Sequence, residues 1–361
     1  MRLALPILLS LALGAAPAAH ACTTLQLTAK DGAVVYGRTL EFGFDVKSEV
    51  LVLPAGTEMT GSMPDGGTGL RYKTKYGMAG ANALGMNIMI DGISEKGLSL
   101  SALYFPGYAS YAKATPETKD RAMAPQEFGA WVLGSFATLD EIKAGLDQVV
   151  LVATDVEALG GPAPLHFLVR DAEGRSIVIE PIDGTLVVSD NPVGVMTNSP
   201  TFDWHLTNLR NYTSLTARNL PTLVLGGGFA LPQFGQGTGM AGLPGDSSSP
   251  SRFVRAVAFS QTALTPKTAD EGVLQILHIM NNFDIPIGSV REVQGKEMHT
   301  DYTVWTSAAD LKNLRWYFRT YEDQSIRVVD LKEALEGAKG QVGTIKMDGT
   351  PQPIENVSQQ D

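Results

Sequence analysis

A chain of 361 residues with a net charge of −10 and no block of lysines or arginines is poorly suited to the phosphate backbone of a nucleic acid. Apolar residues make up 44% of it, enough for a sizeable core, and a single cysteine excludes an intrachain disulfide. No H-E-x-x-H occurs and no histidine sits at metal-ligand spacing from that cysteine, so neither a metal nor a cofactor is expected.

In chain order, residues 1–21 read as a secretory leader. Arg2 supplies the positive start, residues 3–13 form a short apolar run, and Ala19-His20-Ala21 is an A-x-A cleavage signature. The run falls short of the roughly 20 residues that a membrane span needs. The expectation is an exported, periplasmic protein with no membrane span. Cleavage after Ala21 would leave Cys22 at the head of a single domain, 22–361. Lipid attachment at Cys22 is the alternative, although Ala-His-Ala lacks the large aliphatic residue of a lipobox.

Strands are expected over 23–28 and 33–40 around the turn Lys30-Asp31-Gly32, which places Cys22 close to the end of its partner strand. Alternation returns at 87–90 and 97–103, separated by a turn at Asp91-Gly92-Ile93-Ser94, and 106–119 reads as a long loop. Helices are expected over 124–133 and from the cap Thr138 through 149, with Glu141 completing a capping box. Strands follow at 166–170, 176–180 and 185–189, then a helix over 202–212. The Gly-rich run 226–245 has no G-K-[ST] ending, so it is a loop and no phosphate cradle. Helices over 251–261 and 268–280 precede a strand pair at 300–307 and 315–320, and the tail from 346 is polar and loose. Strand clusters alternating with helix pairs predict sheets stacked between helical layers.

The chemistry concentrates on Cys22. A processed N-terminus would hold a thiol and a free α-amine on one residue, with the amine able to take the thiol proton. Such an amine titrates at roughly 7.7–8.0, close to what a general base needs at neutral pH. A papain-like pair would instead need His166, His205, His278 or His299 nearby, and none of their local contexts announces it. In Gly37-Arg38-Thr39-Leu40-Glu41-Phe42, Arg38 would stabilise a thiolate and Glu41 would hold the amine. A surface ion pair is the alternative for the same two residues. Phe42, Phe44, Tyr108 and Tyr111 would line an acyl pocket or simply fill the core.

Cys22-Thr23-Thr24, Gly37-Arg38-Thr39-Leu40-Glu41, Asp91-Gly92-Ile93-Ser94-Glu95-Lys96-Gly97-Leu98 and Tyr104-Phe105-Pro106-Gly107-Tyr108 follow one another in a telling order. Asn191-Pro192-Val193-Gly194-Val195-Met196-Thr197-Asn198-Ser199-Pro200, Ser251-Arg252-Phe253-Val254-Arg255 and Tyr317-Phe318-Arg319-Thr320-Tyr321 continue the series. In these motifs the chain resembles the choloylglycine hydrolase family, N-terminal-nucleophile hydrolases that include penicillin V acylases and conjugated bile acid hydrolases. The resemblance implies an α+β fold of four layers, αββα, often assembled as a homotetramer. It implies Cys22 as nucleophile, Arg38 and Arg252 as site arginines, and an oxyanion held by the Asn198 side-chain amide and the Tyr104 backbone N–H. Two positions depart from the common pattern. Glu41 stands where the family usually has Asp, and Tyr104 is similar to penicillin V acylases where bile salt hydrolases tend to carry Asn. The implied activity is hydrolysis of a small-molecule linear amide. Phenoxyacetyl or aryl-acyl amides come first, then N-acyl homoserine lactones and bile salts. The rival from another class is a catalytically silent ligand-binding member of the same fold.

Overall fold

Asp31 and Gly32 make the first turn. The Asp31 side chain accepts the Ala33 N–H at 3.0 Å, and Gly32 takes the left-handed conformation (φ +81°) that a residue with a Cβ adopts only under strain. The turn joins β1, Cys22–Thr28, to β2, Val34–Phe42, in antiparallel register with Cys22 opposite Leu40 and Thr24 opposite Arg38. The structure, a computed structural model, describes residues 21–294 and 297–347, together with 351, 352, 354, 355 and 358. The expected leader, except Ala21, and most of the expected loose tail lie outside the described residues.

Two antiparallel sheets dominate. The first continues from β1 and β2 through the strands Glu297–Asp310, Arg315–Thr320 and Arg327–Asp330, with Val290–Gln294 also paired to Glu297–Asp310. The second has eight strands. Its centre is Met78–Ala81, Asp91–Ser94, Ser99–Tyr104 and Leu165–Arg170. Both sheets read as near-continuous buried runs because each is covered on both faces.

Helix α1, Phe128–Ser135, packs on the second sheet. After α2, Leu139–Gly145, and α3, Phe202–Asn208, come α4, Ser249–Thr262, and α5, Ala269–Met280, which cover the first sheet. Helix α6, Leu331–Ala338, follows the last strand of that sheet. The expected four-layer αββα arrangement is what the chain adopts. Gly37 on β2 explains how closely α5 settles, since a Cβ there would collide with Ile276 and Met280.

Sequence periodicity misplaced several boundaries. Asp91–Ser94, expected as a turn, is a fully buried central strand, whereas 87–90 is not a strand. The cause is tertiary. Asp91–Ser94 pairs on both sides, with Met78–Ala81 and Ser99–Tyr104, and Gly92 faces Gly80 where neither backbone leaves room for a Cβ. The helix expected from 124 begins at Phe128, after a single 3-10 turn over Pro125–Glu127. Thr138 does cap α2, accepting the Glu141 N–H at 3.1 Å, but the helix ends at Gly145 and yields to another 3-10 turn.

The interior between the sheets holds one polar knot. Fully buried Asp91 accepts hydrogen bonds from Ser101 Oγ (2.7 Å), Ser307 Oγ (2.8 Å), Trp316 Nε1 (3.0 Å) and Tyr36 Oη (3.2 Å). A buried carboxylate persists only with such a set of donors and a counter-charge. The counter-charge is Arg38, whose Nη1 lies 3.7 Å from Asp91 Oδ1.

Candidate active site

Strand alternation sorts the side chains around Cys22. Arg38, Leu40 and Phe42 leave β2 on the face that Cys22 shares, toward the second sheet, and all four line one cavity. Thr39 and Glu41 leave on the opposite face, the side on which α4 and α5 pack. The thiol and the carboxylate therefore approach the strand end from different faces.

On the thiol face, Arg38 is fully buried and bridges the two sheets. Its Nη2 donates to the Ala102 carbonyl at 2.6 Å and lies 3.7 Å from Cys22 Sγ, its Nη1 donates to the Ile90 carbonyl, and its guanidinium lies over the Trp305 ring. The surface ion pair considered for Arg38 and Glu41 is thereby corrected: both side chains are buried, because β2 is a central strand. Burial pushes the Cys22 thiol above its ordinary pKa, and the Arg38 charge opposes that shift.

On the helix face, Arg252 of α4 is the organiser. Its Nε donates to the Ser247 carbonyl (2.9 Å), Nη1 to the Cys22 carbonyl and to Thr23 Oγ1 (2.8 Å), and Nη2 to Asn198 Oδ1 (2.7 Å). Glu41 Oε1 accepts from Thr303 Oγ1 at 3.2 Å, and Oε2 has no hydrogen-bond partner among the described residues. Burial raises the Glu41 pKa to about 7, with the Arg252 charge holding it from rising further. The Glu41 N–H donates to the Ala21 carbonyl at 2.9 Å, so this carboxylate-bearing residue sits directly against the Ala21–Cys22 junction.

Asn198 closes the site from the far side of β1. A bridge between Thr24 and Met196 lays residues 196–198 along the open edge of β1. Asn198 Oδ1 then accepts the Cys22 N–H at 2.8 Å, and Asn198 Nδ2 donates to the Tyr104 carbonyl at 2.8 Å. In this arrangement Nδ2 is already engaged, so a developing oxyanion would share that donor or take it from Tyr104. Tyr104 lines the same cavity as Cys22 and packs edge-on against Phe42. All six residues singled out from sequence, Cys22, Arg38, Glu41, Tyr104, Asn198 and Arg252, thus meet around one strand end. Of the four candidate pocket aromatics, Phe42 lines the cavity, while Tyr111 is tied to the Ala163 carbonyl and the Leu165 N–H. Among the described residues there is no group of three His, Cys, Asp or Glu placed to hold a metal ion.

Sequence reasoning missed a second tier. His166 Nε2 donates to the Thr197 carbonyl (3.0 Å) and His205 Nε2 to the Asn198 carbonyl (2.9 Å), so two buried histidines clamp consecutive peptide groups. Each ring stacks on a phenylalanine, Phe105 and Phe253 respectively. Glu180 joins the two: its Oε1 lies 3.4 Å from His166 Nδ1 and accepts the N–H of Phe202 at the start of α3, the helix that carries His205. Their one legible signal is composition: histidines at 166 and 205 in otherwise apolar or helical stretches have no local reason to be there. Burial pulls the His205 pKa down to about 4, so the ring is neutral with its proton on Nε2.

A depressed histidine pKa contributes stability that is present above the unfolded value of about 6.5 and is lost as pH falls toward 4. The difference corresponds to about 3 kcal/mol. His205→Gln, whose amide nitrogen replaces Nε2, is expected to flatten the fall in melting temperature over that window and to keep activity. His205→Leu leaves the Asn198 carbonyl unpaired and is expected to cost about 1–3 kcal/mol and to lower kcat with KM little changed. Equal kcat for the Gln and Leu variants would refute the clamp.

Around Cys22 opens a cavity of about 590 Å³, including the solvent space at its mouth, walled by Leu40, Phe42, Leu84, Ile90, Val156 and Leu165 among others. The cluster thus offers a thiol beside a guanidinium, amide donors for negative charge, and an apolar chamber, the parts that acyl transfer from an amide needs.

Residues 22–340 match the family of linear amide C–N hydrolases, the choloylglycine hydrolase family. The chain is 35% identical to a bile salt hydrolase/transferase of Clostridium perfringens over 320 residues, covering 88% of this chain and 94% of that one. It is 29% identical to a penicillin V acylase of Pectobacterium atrosepticum, covering 85% and 79%. Its fold is similar to a crystal structure of a conjugated bile acid hydrolase from Clostridium perfringens, with a TM-score of 0.80 at 32% identity, spanning 94% of this chain and all of that one. A penicillin V acylase structure from Agrobacterium tumefaciens, 24% identical, shares the fold with a TM-score of 0.70. With its thiol, arginines and amide donors gathered at one strand end, and with its sequence matched from Cys22 through residue 340, this chain belongs to the choloylglycine hydrolase family and is a hydrolase of linear amide C–N bonds.

Proposed function

We propose that the protein is exported, that removal of its leader exposes Cys22, and that it then hydrolyses N-acyl amides whose acyl group is bulky and apolar. The apolar cavity at Cys22 carries the acyl assignment, because it offers no counter-charge for an ionised acyl chain beyond the site's own Arg38. Phenoxyacetyl amides of the penicillin V type are the first substrates, and long-chain N-acyl homoserine lactones the next. A second reading, conjugated bile salts, is favoured by the 35% identity to a bile salt hydrolase/transferase.

The thiol attacks the amide carbon while the α-amine of Cys22 takes its proton. The tetrahedral oxyanion is met by Asn198 Nδ2 and the Tyr104 N–H. The α-ammonium returns the proton to the departing amine as the C–N bond breaks, leaving a thioester. Water, deprotonated by the same amine, cleaves the thioester and regenerates the thiol. A base is required because burial keeps the thiol protonated. The two buried histidines of the site are committed to backbone carbonyls, which leaves the amine. Asn198 Oδ1 accepts the Cys22 N–H and is suited to hold that nitrogen when charged, and Glu41, whose backbone N–H meets the Ala21 carbonyl, is the carboxylate we assign to the same task.

Turnover by the processed protein is tested with penicillin V, long-chain acyl homoserine lactones, glycocholate and taurocholate; no release of amine from any of them overturns the reading. Intact-mass and N-terminal analysis of protein recovered from a periplasmic fraction is expected to give Cys22 as the first residue. A mature chain starting elsewhere would remove the proposed base. We further propose a homo-oligomer, a tetramer by family resemblance. Its support is the projecting hairpin where Leu223, Val224, Phe229 and Phe234 are all exposed. A monomer by light scattering would refute it.

A further inference from the structure

The buried Asp91 carries a charge that its packing does not explain. Three donors from the first sheet meet its Oδ2: Ser307 Oγ, Trp316 Nε1 and Tyr36 Oη. A neutral amide oxygen in that place would receive the same three, so bolting the sheets together needs no charge. What only a carboxylate supplies lies on the other oxygen. Oδ1 takes the Ser101 hydroxyl and lies 3.7 Å from Arg38 Nη1. Trp316 Nε1 and the guanidinium can only donate, so each oxygen faces a group that calls for an ionised carboxylate.

The local fold delivers that charge to Arg38. Asp91 and Ser101 are register partners on neighbouring strands, and the residues beside them, Ile90 and Ala102, supply the two carbonyls that hold Arg38. The Ala102 N–H in turn donates to the Ile90 carbonyl at 2.8 Å, which fixes both. The guanidinium is therefore held between the Asp91 carboxylate, 3.7 Å from Nη1, and the Cys22 sulfur, 3.7 Å from Nη2. A second buried guanidinium, Arg170, completes the group. Its Nη1 lies 3.4 Å from Ser101 Oγ, its Nη2 donates to Thr24 Oγ1 (2.6 Å) on the strand that begins at Cys22, and it lies over the Tyr36 ring.

We infer that Asp91 is a positioning residue of the hydrolysis: by pairing with the Arg38 guanidinium it competes with the Cys22 sulfur for that charge, and so keeps the resting nucleophile a thiol until the α-amine takes its proton. This rests on the reading of Cys22 as nucleophile. The other groups that act on the sulfur are Glu41 of β2 and Arg252 of α4, which oppose one another, and Tyr104 of the second sheet. Those that face Asp91 from other strands are Tyr36, Arg38 and Arg170. Without the carboxylate, ionisation of Cys22 becomes the way to pair the Arg38 charge in a dry interior, so the thiolate forms at lower pH.

Cys22 is the only cysteine, so alkylation by iodoacetamide reads its ionisation with no amide substrate present. The thiolate sulfur bonds the methylene carbon as iodide leaves, and intact mass follows the rate on the processed protein across the pH range. In Asp91→Asn the amide oxygen serves the three donors at the Oδ2 place, the NH2 meets Ser101 Oγ, and Arg38 loses its counter-charge. This variant is expected to react about tenfold faster than wild type in mildly acidic buffer and to converge with it in alkaline buffer. On an Arg38→Leu background the same substitution is expected to change the rate by less than about twofold. Wild-type or slower alkylation of Asp91→Asn overturns the inference. So does an acceleration of equal size at every pH, or one that persists without Arg38, because either reports a loosened site. Should Asp91→Asn fail to fold, Tyr36→Phe carries the test alone. It removes one donor from Oδ2, leaves more of the carboxylate charge for Arg38, and is expected to slow alkylation about twofold in acidic buffer; an unchanged or faster reaction there overturns the inference. Turnover of amides reads the hydrolase assignment separately. Absence of turnover with the alkylation pattern intact strikes that assignment and leaves the hold of Asp91 on the Cys22 thiol standing.

Discussion

Cys22→Ser is expected to lower kcat by at least about 10³-fold on whichever amide proves to be the substrate, with melting temperature little changed. The substitution replaces one buried small polar atom by another of similar size, so the surroundings have little to repack. What changes is ionisation. The thiol is pushed above its ordinary pKa by burial and pulled back by Arg38, whose Nη2 lies 3.7 Å from Sγ. A terminal amine titrating at roughly 8 can take that proton during attack. An alcohol is several units less acidic than a thiol, so the same amine cannot serve it well. Rapid mixing with a chromogenic amide, read by mass spectrometry, is expected to trap an acyl group on the wild-type thiol and none on the serine variant. More than about a tenth of wild-type turnover in Cys22→Ser would exclude the thiol as nucleophile.

Arg252→Leu should be the most damaging change away from the thiol. The guanidinium satisfies the Ser247 and Cys22 carbonyls, Thr23 Oγ1 and Asn198 Oδ1 together, in a site with almost no solvent. Removing it strands several acceptors and costs about 3–5 kcal/mol. It also loosens Asn198, whose amide then keeps two anchoring bonds in place of three, from the Cys22 N–H and to the Tyr104 carbonyl, so the donor proposed to meet the oxyanion is less firmly oriented. A misplaced oxyanion donor typically costs about 10²–10³-fold in kcat. Glu41 would feel the loss too, because the Arg252 charge is what restrains its burial-raised pKa of about 7. Denaturant melts and steady-state kinetics on Arg252→Leu and Arg252→Lys decide the point. Lysine carries the charge and lacks the fork, so wild-type rates in Arg252→Lys would reduce the role to electrostatics alone.

The residues that gather around Cys22 were legible because most of them sit in short motifs whose spacing is local. A cysteine behind an A-x-A site, and an arginine two residues ahead of its partner in a short hairpin, can be placed by strand register alone. The cap of α2 was legible for the same reason: Thr138 with Glu141 announces that helix through a bond spanning three residues. Asp91–Ser94 was not, since glycine, aspartate and serine favour turns until two neighbouring strands claim their backbone. The tie of His166, His205 and Glu180 to residues 197–202 was not legible because their partners lie 7 to 31 residues away along the chain.

By itself the sequence determined the family, the layered fold and the identity of the residues around Cys22. Those depend on residue type and short spacing, which survive without coordinates. The tertiary structure alone decided that Arg38 and Glu41 leave one strand on opposite faces beside Cys22, and that Arg252 and Asn198 are locked to each other. Each of those is set by which face of a pleated sheet a side chain leaves and by what a distant element packs against it. Neither quantity is encoded at any single position.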